Sequence, residues 1–272
     1  MSGGLAFIGA GRMAGAMVRG ILKTGAWPAG RILCTSAKDG TAEALAGETG
    51  IRLTRDWGEL TREADWIILA CKPQQVGELP AELAALTRGR RILSILAGTT
   101  LSRLQSLFPE AANLVRCMPN TPGMIGAGIT AYSPLKPLST EEESRVRGIL
   151  EALGEVVPMP EQSLNAVTGL SGSGPAYVFE FVAALRDGGV AAGLDKETAY
   201  RLALKTVQGA AALLEAVPET PETHRDWVSS PGGTTLAGLA EMERGGFRGT
   251  LKETILAATR RAVELSGDKT TP

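Results

Sequence analysis

The chain begins with a predicted strand, a glycine turn and a helix, and this arrangement constrains its fold more than any other feature. Residues 5–8 are apolar and predict a short buried strand, Gly9-Ala10-Gly11 predicts a tight turn, and apolar residues from Met13 onward recur at helical spacing. The first glycine lets the chain reverse, the second lets backbone approach a phosphate, and Ala14 permits close packing of helix on strand. The positive end of the helix would then face a diphosphate. The segment therefore predicts a dinucleotide-binding turn.

Further apolar runs alternate with segments of helical spacing up to about residue 160. Such alternation is typical of parallel strands joined by helical crossovers. We therefore predict an α/β fold, with a doubly wound Rossmann-type dinucleotide-binding domain at residues 1–160 and an all-helical domain at residues 161–272. The predicted strands are residues 5–8, 31–34, 51–53, 66–70, 91–96, 113–117, 128–133 and 154–158. The predicted helices are residues 12–22, 41–48, 75–86, 101–108 and 139–153, and in the second domain residues 175–192, 195–216, 231–244 and 249–266.

Composition excludes several classes of partner. The 28 lysines and arginines nearly balance the 29 aspartates and glutamates, so a net charge of -1 gives no general attraction for nucleic acid or an anionic membrane. The three cysteines are far apart and end apolar runs, which predicts buried free thiols in a reducing compartment and no metal site. No apolar run reaches the length of a membrane span, and the early first strand leaves no room for a signal peptide. We expect a cytoplasmic protein.

The predicted helices of the second domain carry broad apolar faces with many alanines. Residues 195–216, for example, have apolar side chains along one whole face. A small helical domain with so much apolar surface usually buries part of it against another subunit. We therefore expect a homo-oligomer, with burial inside the same chain as the alternative.

The end of the second predicted strand indicates which dinucleotide is bound. NAD-binding sheets place a carboxylate about twenty residues after the glycine turn, where it holds the ribose 2′-hydroxyl. Here Thr35 and Ser36 supply hydroxyls and Lys38 a positive charge, which suit a 2′-phosphate. Asp39 follows directly and weakens this preference. The sequence favours NADPH, with NADH as the alternative and a solvated loop as the simplest other interpretation.

Three more loops follow predicted strands and would lie at the same edge of the sheet. They are Ala70-Cys71-Lys72-Pro73, Leu96-Ala97-Gly98 and Cys117-Met118-Pro119-Asn120. Ligands of parallel sheets bind at the carboxyl ends of the strands. Each loop is also compatible with a simple turn, but together they predict the wall of a nicotinamide pocket.

Two stretches of the helical domain place serines and glycines around a proline: residues 170–177 and residues 228–235. Serine at the N-cap and proline at the first helical position are ordinary signals of a helix start. Two consecutive glycines after Pro231 are not needed for capping, and each costs about 1 kcal/mol relative to alanine inside a helix. Free N–H groups and hydroxyls converging there would suit a small anion, and a carboxylate is the natural candidate.

These motifs together resemble the pyrroline-5-carboxylate reductase family over nearly the whole chain. The resemblance implies NADPH-dependent reduction of Δ1-pyrroline-5-carboxylate to L-proline, the last step of proline synthesis. It also implies a homodimer of interleaved helical domains, with a pentamer of dimers as the larger assembly. The motifs that carry it are residues 7–14, 72–74, 116–122 and 168–177, and above all Val228-Ser229-Ser230-Pro231-Gly232-Gly233-Thr234-Thr235 with Gly238-Leu239.

The resemblance also assigns residues to the site. For the substrate it implies Ser230, Gly233, Thr234 and Thr235, and more loosely Glu161. Thr235 and Ser230 are the candidates for catalytic contact with the ring nitrogen. Together with the loops described above, the predicted cofactor site consists of Ile8, Gly9, Ala10, Gly11, Arg12, Met13, Thr35, Ser36, Lys38, Ala70, Cys71, Lys72, Pro73, Leu96, Ala97, Gly98 and Asn120.

Three residues depart from the family pattern. Trp57 stands where many members carry an asparagine for the adenosine ribose, and Pro218 stands where some carry a substrate-contacting glutamate. His224, the sole histidine, replaces an aliphatic residue, and a role as catalytic acid is only a minor alternative. These departures put the corresponding contacts in doubt.

Two other functions remain open at this point. A β-hydroxyacid dehydrogenase or another imine reductase would share the two-domain plan, but the former would place a lysine on the first long helix of the second domain, and residues 175–192 contain none. A redox sensor that binds NADPH without turnover is the alternative outside enzymes. The hydroxyl donors Ser230, Thr234 and Thr235 argue against a sensor.

Overall fold

The computed structural model describes residues 3–267, and its first part contains one eight-stranded sheet. Each strand predicted from an apolar run is present within two residues of its predicted bounds. The strands are β1 (Gly4–Ile8), β2 (Ile32–Thr35), β3 (Arg52–Leu53), β4 (Ala64–Leu69), β5 (Arg91–Ser94), β6 (Asn113–Met118), β7 (Gly128–Pro134) and β8 (Gly154–Pro158).

The strand order is β3-β2-β1-β4-β5-β6-β7-β8, so the chain changes direction across the sheet beside β1. Neighbouring strands are parallel except for β7, which is antiparallel to β6. A short loop with a 3₁₀ helix (Thr121–Ile125) joins these two strands, and so short a connection allows only antiparallel pairing. The predicted doubly wound fold is confirmed, with this one antiparallel strand in addition.

Seven helices accompany the sheet in the described part of the chain. One prediction was wrong: residues 75–86 are not one helix but a 3₁₀ helix (Pro73–Glu78) followed by a single short helical turn. Pro80 separates the two because its ring blocks the preceding turn and it lacks an N–H donor. The helices are α1 (Arg12–Thr24), α2 (Thr41–Thr49), α3 (Trp57–Glu63), α4 (Leu83–Leu86), α5 (Leu101–Leu107), α6 (Thr140–Leu150) and α7 (Leu164–Val167).

Both faces of the sheet are buried. Alternate residues of β1 point to opposite sides, so Leu5 and Phe7 belong to one apolar cluster and Ala6 and Ile8 to another. The first cluster contains the apolar face of α1 and the second contains side chains of α3 and α5. Burial on both faces explains why the central strand β1 is a continuous apolar run.

Five helices follow in the second part: α8 (Gly174–Ala191), α9 (Lys196–Ala216), α10 (Pro221–Trp227), α11 (Thr234–Arg244) and α12 (Phe247–Ser266). The predicted start of α11 at Pro231 was wrong. Gly232 has a φ of 72°, and the Gly233 N–H donates to the Ser230 carbonyl at 2.9 Å. These features make a turn, so the helix begins only at Thr234.

The chain divides into two compact units. One extends to Ser173 and resumes at Ala257, and the other is Gly174–Leu256. The second unit has almost no core of its own, because its buried apolar side chains are only Val182, Ala199 and Ala203. The functional division at residue 160 stays a prediction, and residues 1–2 and 268–272 of that division lie outside the described part.

Within residues 3–267 no helix has the length and hydrophobicity that a membrane span requires. The same residues contain no group of three or more side chains suited to hold a metal ion. The three cysteines are free, as predicted, with Cys34 and Cys117 buried and Cys71 half-buried.

Candidate cofactor and substrate sites

A cavity of about 390 Å³ lies around the turn between β1 and α1. Its wall comes from that turn, from the segment after β2, from Trp57 and from the segment after β4, so it occupies the carboxyl edge of the sheet. Dinucleotides bind at this edge in doubly wound folds. The predicted cofactor residues that line it are Ile8, Gly9, Ala10, Gly11, Thr35, Ser36, Ala70, Cys71 and Lys72.

Gly9 holds the turn between its two neighbouring strands. Its φ is 106°, and a Cβ there would lie 2.4 Å from the Cys71 backbone nitrogen and 2.5 Å from the Ala70 carbonyl carbon. The Gly9 N–H donates to the Thr35 carbonyl at 2.7 Å, and the Ala70 N–H donates to the Ile8 carbonyl at 2.8 Å. Only glycine fits this position, because any side chain would meet backbone.

Gly11 has a different role at the start of α1. It is the N-cap, no side chain caps the helix, and the first turn contains no acidic residue. The first helical bond runs from the Gly15 N–H to the Gly11 carbonyl at 2.9 Å, so the backbone N–H groups of Arg12 and Met13 have no partner within the helix. A Cβ on Gly11 would meet no atom within 4 Å, so the space beside it is open. This uncapped helix end fits a diphosphate.

The segment after β2 contains an anchored carboxylate. Asp39 Oδ1 accepts hydrogen bonds from the Thr41 hydroxyl at 2.7 Å, the Thr41 N–H at 3.1 Å and the Ser36 hydroxyl at 3.3 Å. The Thr41 bonds lower the pKa of Asp39 below its ordinary value, so the group is an anion at neutral pH. Ser36, Asp39 and Thr41 line the cavity, whereas the exposed Lys38 does not.

Several wall residues were missed or assigned no contact at the sequence level. Asp39, Thr41 and Trp57 line the cavity beside β2, and Gln75, Glu78, Leu79 and Pro80 line it after β4. The prediction of one long helix over residues 75–86 hid the second group. Pro80 was the available signal, since a proline inside such a pattern ends a helix.

Other predicted cofactor residues lie outside the cavity wall, and their role stays a prediction. Gly98 has a φ of 70°, and a Cβ there would lie 3.2 Å from Leu265 Cβ. The Asn120 side chain is occupied: its amide donates to the Ser171 hydroxyl at 3.2 Å, and its carbonyl accepts the Ile129 N–H at 3.0 Å. The remaining members of this group are Arg12, Met13, Lys38, Pro73, Leu96 and Ala97.

Glu161 is part of a charged network with Arg116, a residue of β6. Its carboxylate accepts the Leu101 N–H at 2.6 Å and a guanidinium N–H of Arg116 at 3.2 Å. Arg116 is only 3% exposed and also donates to the Asn165 side-chain oxygen at 2.9 Å. A buried guanidinium needs such partners, so Glu161 has a structural function besides the predicted substrate contact.

The predicted substrate residues of the helical region surround the start of α11. Gly233 is the N-cap, it offers no side-chain cap, and the first turn has no acidic residue. A Cβ on Gly233 would lie 2.6 Å from Ser230 Oγ, so the glycine allows the turn to close. No hydrogen bond within residues 3–267 uses the hydroxyls of Ser230, Thr234 or Thr235. This uncapped helix end with three hydroxyls suits an anion.

His224 has a structural environment. Its Nε2 lies 3.1 Å from the Val217 carbonyl oxygen, its ring packs edge-on against Trp227 at 4.7 Å between centroids, and the residue is 9% exposed. Pro218 follows Val217 in the connection between α9 and α10. Burial raises the pKa of Cys71, so its thiol stays protonated at neutral pH. His224 therefore lacks the surroundings of a catalytic acid, and Cys71 lacks those of a catalytic nucleophile.

The doubly wound sheet, the open glycine turn and the uncapped α1 define a dinucleotide-binding protein of the Rossmann class. Residues 4–98 match the family model "NADP oxidoreductase coenzyme F420-dependent". Residues 161–265 match the model "Pyrroline-5-carboxylate reductase dimerisation".

Similar proteins extend the match to nearly the whole chain. The pyrroline-5-carboxylate reductase of Synechocystis is 40% identical over 265 residues, which cover 97% of this chain and 99% of that protein. The solved structure of a pyrroline-5-carboxylate reductase from Coxiella burnetii is 31% identical, has a TM-score of 0.90 and matches over 98% of this chain and 99% of that one. The Plasmodium falciparum pyrroline carboxylate reductase, solved with NADP bound, is 26% identical with a TM-score of 0.84 over 97% and 98% of the two chains. The chain belongs to the pyrroline-5-carboxylate reductase family, and the predicted resemblance is confirmed.

Proposed function

We propose that this protein reduces Δ1-pyrroline-5-carboxylate to L-proline with NADPH. The observation that carries the proposal is 40% identity to a pyrroline-5-carboxylate reductase over 97% of the chain. The glycine turn adds a physical reason, because Gly9 and Gly11 form the open cradle that a diphosphate requires. NADPH is further supported by the NADP oxidoreductase model and by the NADP-bound relative from Plasmodium.

The reaction needs a hydride and a proton. Bound NADPH supplies the hydride to the imine carbon, the ring nitrogen gains a proton, and the C=N double bond becomes a C–N single bond as NADP⁺ forms. The chain's own task is to hold the two reactants in the correct geometry, which can contribute about 7–11 kcal/mol in favourable systems. No covalent intermediate with the protein is required.

The cofactor is held, in this proposal, by the turn between β1 and α1. The backbone N–H groups of Arg12 and Met13 face the diphosphate, and the segment at Ser36 and Lys38 binds the adenosine ribose. The residues after β4 and β5 and Asn120 form the nicotinamide side. The cavity of about 390 Å³ around the turn supports the first part of this assignment.

The substrate is held at the start of α11. The free N–H groups behind Gly233 and the hydroxyls of Ser230 and Thr234 bind the carboxylate, and Thr235 orients the ring nitrogen. The absence of any side-chain cap on α11 supports this role, since a helix end without a cap is open to an anion. Glu161 remains a candidate for contact with the substrate ring.

The protein acts as a homodimer, and a pentamer of dimers is the larger assembly proposed. Large apolar side chains are exposed on the helices of unit Gly174–Leu256, among them Phe179 at 66%, Leu202 at 53% and Leu213 at 48%. Patches of this kind mark protein interfaces. The match of residues 161–265 to a dimerisation model supports the same conclusion. The free thiols of the three cysteines support a cytoplasmic location.

The decisive experiment is an assay of the purified protein with NADPH and Δ1-pyrroline-5-carboxylate. We expect loss of NADPH absorbance that depends on the imine, together with an equal amount of L-proline measured by chromatography. Thr235→Ala should lower kcat/KM, while Thr250→Ala, the same change at an exposed threonine in α12, should not. Binding of NADPH without turnover would support the redox-sensor alternative instead.

A further inference from the structure

We propose that the carboxylate of Asp39 sets the ratio of NADPH to NADH affinity, holding the preference for NADPH low enough for both cofactors to bind. This inference rests on the proposed dinucleotide site. Asp39 lines the cavity beside the end of β2, where the ribose 2′ position of a dinucleotide is recognised. A carboxylate there accepts a hydrogen bond from a ribose 2′-hydroxyl but repels a 2′-phosphate, which carries the same sign of charge.

The position of this carboxylate is fixed by its neighbours. Thr41 donates to Asp39 Oδ1 through both its hydroxyl, at 2.7 Å, and its backbone N–H, at 3.1 Å. The Ser36 hydroxyl also lies within hydrogen-bond distance of Oδ1, at 3.3 Å, and within 2.9 Å of the Ala37 carbonyl. The Ser36 hydroxyl, which could donate to a 2′-phosphate, therefore already has acceptors within the chain. The Asp39 carboxylate, which repels that phosphate, is held in place.

The cations near this end of the cavity do not outweigh Asp39. Arg55 donates to the Ser36 carbonyl and pairs with Glu43, so its charge is offset, and it does not line the cavity. Lys38 is exposed and outside the wall. The segment after β2 thus presents one anchored anion to a phosphate, whereas Lys38 lies outside the cavity wall and Arg55 is paired with Glu43.

The test compares the dissociation constants of NADPH and NADH by isothermal titration calorimetry in wild type and in Asp39→Asn. Asparagine keeps an oxygen for Thr41 but loses the charge. We expect NADPH to bind about tenfold more tightly, because a like-charge repulsion is removed. NADH should bind equally or slightly more weakly, because its 2′-hydroxyl loses a charged acceptor. Glu48→Gln makes the same change in charge at the far end of α2 and should leave both constants unchanged.

The ratio of the two constants decides the question. A ratio in Asp39→Asn within about twofold of wild type would overturn the proposal, whatever the separate affinities do. NADH binding in the same sample shows that the variant is folded, and Asp39→Ser, which can still form the local turn, serves as a second variant. If wild type binds neither nucleotide, the proposed function fails; if it binds both and the ratio does not respond, only this inference fails.

Discussion

The two glycines of the phosphate turn should respond oppositely to the same substitution. Gly9→Ala introduces a Cβ at a φ of 106°, and that atom would lie 2.4 Å from the Cys71 nitrogen and 2.5 Å from the Ala70 carbonyl carbon. Because both neighbours are backbone atoms of the β4 segment, neither can move without disturbing the sheet. Gly11→Ala introduces a Cβ with no atom within 4 Å at a φ of -71°, which any residue adopts.

The expected loss of stability follows from these distances. For Gly9→Ala, the positive φ costs about 1–2 kcal/mol and the overpacking about 1–3 kcal/mol, so the free energy of unfolding should fall by about 2–5 kcal/mol. For Gly11→Ala the loss should stay below about 1 kcal/mol, the ordinary difference between glycine and alanine at an N-cap. The cost of Gly11→Ala should instead appear in NADPH binding, weakened about tenfold or more, since its Cβ takes the space of the diphosphate.

Urea unfolding measures the first effect and calorimetric titration with NADPH measures the second. Wild type and the two variants should be compared at one protein concentration, because subunit association contributes to apparent stability. If Gly11→Ala bound NADPH as wild type does, the turn would not be the diphosphate site. If Gly9→Ala unfolded at the wild-type urea concentration, the argument from the close backbone approach would be refuted.

Three further substitutions test other parts of the site and fold. Thr235→Ala should lower kcat/KM about 10- to 100-fold through loss of one hydrogen bond to a charged substrate, and near wild-type kinetics in the folded variant would remove Thr235 from the site. Lys38→Ala should weaken NADPH several-fold in a binding titration without affecting NADH, and equal effects on both would exclude contact with the 2′-phosphate. Arg91 and the Ser139 N–H lower the pKa of Glu142 from its ordinary 4.5, so its stabilisation is present above that pH and disappears as pH falls below it. Glu142→Gln should therefore cost up to about 1 kcal/mol in urea unfolding near pH 7 and progressively less as the pH is lowered below 4.5, and a loss independent of pH would contradict this account.

The sheet was predictable because both of its faces are buried. The central strand β1 and residues 66–69 of β4 are continuous apolar runs, and each run stands out against its polar neighbours. Helix boundaries were harder to predict. The apolar spacing over residues 75–86 resembles that of one helix, and the structure shows that Pro80 interrupts it. The start of α11 depended on a positive φ at Gly232, and a glycine by itself does not reveal whether it adopts one.

The candidate site was predictable where chemistry depends on backbone. Gly9 and Gly11 were identified because a tight turn and a close approach both require glycine. Side-chain placement was not predictable to the same degree. Asp39 lies in the cavity wall and its neighbour Lys38 does not, and only the local bonds of Thr41 and Ser36 decide which of the two points inward. Such short-range competition between adjacent side chains leaves no periodic trace in a sequence.

Because unit Gly174–Leu256 buries so few apolar side chains, its stability in the proposed homodimer depends on association with a second subunit. With so few buried apolar side chains of its own, this stretch would gain folding free energy in the proposed homodimer from surface shared with a second copy. Dilution should therefore lower the thermal unfolding midpoint, as mass action requires. In the same homodimer, a damaged chain would also destabilise an intact partner, because the shared surface contributes to the stability of both.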